Sequence, residues 1–149
     1  MQIQAGRRLV IVGAILIVVG VVAAAAVHPS LGTPIAIMGD LVFWPVDGLP
    51  GAPSGPLERL FAAVAGGLMT GWGAMFVALG HGWAVGKAIA TGAAAWFAVD
   101  SAGSLVAGVP LNVVGNVPFL ALMQWAVWPS IGTHDRRVRV DAGKSVPAR

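Results

Sequence analysis

Cysteine and tyrosine are both absent from the 149 residues. Without cysteine there are no disulfides, no thiolate metal ligands and no thiol-based redox chemistry. Charge is scarce as well. Asp, Glu, Lys and Arg together make up 10% of the chain, where a soluble domain usually carries about 25%. With 57% of its residues hydrophobic, the chain has too little charge to cover a soluble core of its size. The equipment of common catalytic sites is missing too: no nucleophile–base pair, no phosphate-cradling loop and no carboxylates paired at catalytic spacing.

What is present is apolar length. Four apolar stretches cover residues 9–27, 57–79, 86–107 and 111–128. Each is close to the ~20 residues needed to cross ~30 Å of hydrocarbon at ~1.5 Å per residue. The pattern predicts an all-α integral membrane protein, a four-transmembrane-helix bundle with an outer interfacial loop between the first and second helices. Residues 1–133 form one membrane domain, and residues 134–149 form a basic tail expected to lack fixed structure.

Orientation follows from the cations. Arg7, Arg8, Lys87, Arg136, Arg137, Arg139, Lys144 and Arg149 fall on one side of the four stretches, and Arg59 alone falls on the other. Positive charge marks the cytoplasmic side, so both termini are placed in the cytoplasm and the protein in an inner (plasma) membrane. The net charge of +3 reads as this asymmetry and as attraction of the tail to anionic lipid. It does not read as nucleic-acid binding, because no aromatic residues interleave with the tail cations. Trp44, Trp83, Trp125 and Trp128 sit near span boundaries, where amphipathic rings anchor. Trp72 and Trp96 fall mid-span and are expected to be packed. Arg7-Arg8, the apolar run and Ala23 to Ala26 resemble a secretory signal, but the run exceeds the usual ~7–15 residues of such a segment, so a retained anchor is expected.

The first span has no polar side chain between Leu9 and Val27 and reads as a lipid-facing or anchoring helix, ended by His28-Pro29. The connection over residues 28–56 holds Pro29, Pro34, Pro45, Pro50, Pro53 and Pro56. Its apolar part is too short to span and is expected at the outer interface or in the bundle mouth. The second span starts on Pro56 with Glu58 in its first turn. Ala63, Gly66, Thr70, Gly73 and Val77 then recur at three- and four-residue steps, and Gly67 and Gly71 add a GxxxG. Small residues of this kind let helix backbones approach closely in lipid. Spans three and four form a hairpin through Gly108-Val109-Pro110, and Pro118 is expected to kink the fourth.

Polar residues concentrate at that hairpin: Asp100, Ser101 and Ser104 before the turn, Asn112 and Asn116 after it. Asp100 and Ser104 share a helix face, as do Asn112 and Asn116. At ~1.5 Å per residue, Asp100 and Asn116 reach the same membrane level. An acid inside a span costs ~3 kcal/mol or more without partners, so the two faces are expected to meet inside the bundle. Two readings follow: a polar network fixing helix register, or a proton, ion or ligand site open to the outside. Arg59, on the stripe of Gly66 and Thr70, is expected to pair with Asp47, with Asp100 as a longer reach. His28 lies outside, and His81 and His134 lie at the cytoplasmic rim. No histidine stands within a span to ligate haem, and no metal or other cofactor is expected.

Phe43-Trp44-Pro45-Val46-Asp47-Gly48, Arg59-Leu60, Gly66-Gly67, Gly71-Trp72-Gly73, Asp100-Ser101-Ala102-Gly103-Ser104 and Pro110-Leu111-Asn112 with Asn116 form a recognisable set. In these motifs the chain resembles a family of small four-span bacterial inner-membrane proteins without an assigned activity. The resemblance covers residues 43–119 and implies that the Trp-Pro loop, Arg59 and the Asp/Asn hairpin belong to one arrangement. The expected function is non-catalytic: an accessory or assembly subunit acting by lateral helix contacts with a protein partner or a second copy. The alternative is a small transporter, channel or binder of a polar solute or proton that uses an outward-facing Asp/Asn pocket.

Overall fold

The computed structural model describes residues 2–34, 36–37 and 53–144. Four long helices dominate them: α1 (Gln2–Ala25), α2 (Pro56–Gly80), α3 (Val85–Val106) and α4 (Pro110–Lys144). Each contains a segment long and apolar enough to cross a membrane, namely Gly6–Ala25, Pro56–Gly80, Val85–Val106 and Pro110–Trp128. Their outward surfaces are apolar, with Ile15, Val18, Trp72, Leu105 and Leu122 all exposed. Water would not tolerate so extensive an apolar surface on a monomer, so the structure is compatible with a multi-pass membrane protein.

Local chemistry accounts for the helix ends. Pro56 opens α2, and the Glu58 carboxylate accepts bonds from the Ser54 and Gly55 amides at 2.7 and 3.2 Å. Those bonds use donors that the helix start leaves free. At its far end the Trp83 amide reaches back to the Ala78 carbonyl, and the Gly82 amide to Leu79. The same pair of bonds closes α3, from Val109 to Ser104 and from Gly108 to Leu105. Both turns place glycine in the left-handed region, Gly82 at φ 78° and Gly108 at φ 79°, where a Cβ would be strained. Two tight antiparallel hairpins result. α1 ends in turn residues before His28, and Pro29–Leu31 forms a single 3-10 turn.

Helix packing runs in chain order. α2 lies between α1 and α3, α1 and α3 touch only lightly, and α4 has its main contacts with α3. The first span is therefore more than a lipid-facing anchor. Gly6, Gly13 and Gly20, seven residues apart, meet Gly80, Gly73 and Gly66 of the antiparallel α2. A Cβ on Gly13 would lie 2.6 Å from the Gly73 carbonyl oxygen, and one on Gly20 2.6 Å from that of Gly66. A seven-residue repeat is the period of a left-handed coil, and glycine on both sides brings the backbones together. The α2 stripe of Gly66, Thr70, Gly73 and Val77 faces this seam. Thr70 is buried and its hydroxyl donates to the Gly66 carbonyl within its own helix at 2.8 Å. Gly67 and Gly71 form a second seam against α3, under Asp100 and Trp96.

One expectation needs correction. Trp72 is 63% exposed, because Gly71 and Gly73 on either side turn to α3 and α1 and leave the residue between them on the free face. The α4 backbone continues as helix to Lys144. α4 also runs through Pro118 as one continuous helix.

Candidate functional site

The α3–α4 hairpin brings the sequence's polar residues together. Asp100 is 1% exposed and Ser104 is fully buried. The Ser104 hydroxyl, one turn along α3, donates to Asp100 Oδ1 at 3.1 Å. The Asn112 amide donates from α4 to the same oxygen at 3.1 Å and to Ser104 Oγ at 2.8 Å. The Asn116 amide donates to Asp100 Oδ2 at 2.8 Å. Pairing Asp100 with Asn116 and Ser104 with Asn112 fixes one antiparallel register, since each pair stands four residues from the other on its helix. Both carboxyl oxygens are engaged, and a carboxylate has no donor with which to return a bond, so each amide presents its nitrogen.

A third helix covers the acid. A Cβ on Gly67 would lie 2.9 Å from Asp100 Cβ, so glycine there lets α2 close directly over Asp100. The acid is thus enclosed by α2 below and the two asparagines of α4 above.

Ser101 departs from the sequence reading. It is buried, but its Oγ has no hydrogen-bond partner among the described residues. One residue is ~100° around the helix, so the Ser101 side chain is turned away from the Asp100 carboxyl although it lies one turn from Ser104. One contributor was missed by sequence reasoning. The Gln124 amide donates to the Ala90 carbonyl at 3.0 Å, a second polar link between α3 and α4. Its signal was available: Asn112, Asn116 and Gln124 recur at multiples of four residues along an otherwise apolar span.

The proposed outer ion pair divides. Asp47 and the Phe43–Asp47 segment lie outside the described residues. Arg59 does not bond Asp100, whose partners are Ser104, Asn112 and Asn116. The Arg59 Nε is buried without a hydrogen-bond partner among the described residues. His28 and His81 are exposed at opposite ends. Among the described residues no three His, Asp or Glu side chains converge as a metal site would require.

Deeper between α2, α3 and α4 lies a crevice of about 140 Å³, lined by Leu68, Gly71, Trp72, Met75, Ile89, Gly92, Ala93, Trp96 and Met123. Its walls are apolar apart from the Trp indoles, and the Trp96 Nε1 is buried without a hydrogen-bond partner among the described residues. Its side chains do not extend the Asp100 network toward the Gly82 end. Phe119 is 60% exposed and does not line this crevice. No family model, curated protein or solved structure matches the chain.

Proposed function

We propose that this is a non-catalytic integral membrane protein of the bacterial inner membrane that serves as an accessory or assembly subunit through lateral helix contacts. Both termini lie in the cytoplasm on this reading, with Arg7, Arg8 and Lys87 at that face. The observation that carries it is the way α4 is held. Three side chains engage both oxygens of one buried acid, and α4 has its main contacts with α3. Such a network locks register and presents the rest of α4 outward. Leu111, Val114, Leu122, Trp125 and Trp128 are each more than half exposed, an apolar and aromatic face available to a partner helix or a second copy. Interhelical packing and hydrogen bonds, not hydrophobic exclusion, drive association in lipid, so a rigid, pre-positioned face favours it.

The competing reading makes Asp100 a working proton or solute site. Its acceptors are already engaged and the crevice beneath is apolar, which supports the structural role. A photo-crosslinking residue at Leu122, with Ile15 on α1 as control, tests the proposal in native membrane. It expects one discrete adduct from Leu122 and none from Ile15. No discrete adduct at Leu122, together with solute or proton flux in proteoliposomes that Asp100→Asn abolishes, would replace it with the transport reading.

A further inference from the structure

We draw no further inference here: the strongest candidate, the open apolar groove of about 510 Å³ between α1 and α3 that Val21, Ala24, Ala98, Ala102 and Val106 line, carries nothing because nothing in the structure shows what covers it.

Discussion

Asn116 and Asp100 are joined across the α3–α4 interface by a 2.8 Å bond from the amide nitrogen to Oδ2. Both are buried, at 8% and 1% exposure, so neither has water as an alternative partner. Asp100→Leu leaves the Asn116 amide without its acceptor and should lower stability by about 1–2 kcal/mol. Asp100→Asn keeps the shape and one acceptor oxygen, and should cost less. Unfolding midpoints of the purified protein in detergent should fall in the order wild type, Asp100→Asn, Asp100→Leu. A leucine variant as stable as wild type would mean that the network does not hold the hairpin.

The two polar links along this interface should behave independently. Asn116 and Gln124 are separated by eight residues, about 12 Å of helix, and share no partner. The losses from Asn116→Ala and Gln124→Ala should therefore add to within about 0.5 kcal/mol. Asn112→Ala and Asn116→Ala both act on Asp100 and should deviate from additivity by about 0.5 kcal/mol or more. A double-mutant cycle for each pair distinguishes the two cases.

Close approach of α1 to α2 makes a steric prediction. A Cβ on Gly13 would meet the Gly73 carbonyl oxygen at 2.6 Å and Val77 Cγ2 at 2.9 Å, and the first of these atoms is backbone. Gly13→Leu should force the helices apart and cost about 1–3 kcal/mol. Val12 is 46% exposed, so Val12→Leu should leave the thermal midpoint unchanged. Equal effects from the two substitutions would contradict the glycine seam.

Topology is open to direct measurement. A reporter fused after Pro50 should read as external and one fused after Arg139 as cytoplasmic. A cytoplasmic signal at Pro50 would invert the orientation proposed from Arg7, Arg8 and Lys87.

Much of the architecture was legible in the residues themselves. Apolar run length set four helices, because crossing hydrocarbon at a fixed rise per residue leaves little choice. Spacing alone put Asp100 with Ser104 and Asn112 with Asn116, because i and i+4 share a helix face whatever surrounds them. Glycine at 108 marked the α3–α4 turn for the same local reason: glycine takes the left-handed backbone free of a Cβ penalty.

Which helices touch was decided by the tertiary structure. The seven-residue spacing of Gly6, Gly13 and Gly20 stands in the sequence, yet its partner stripe is a separate stretch of chain and only packing pairs them. Trp72 went the other way. It sits one residue from positions at two helix seams, and a ~100° step decides whether a side chain faces a neighbour or an open surface, a choice composition does not encode. The groove between α1 and α3 exists only because α2 occupies the middle of the packing, a consequence of the order in which the backbones approach and not of any single residue.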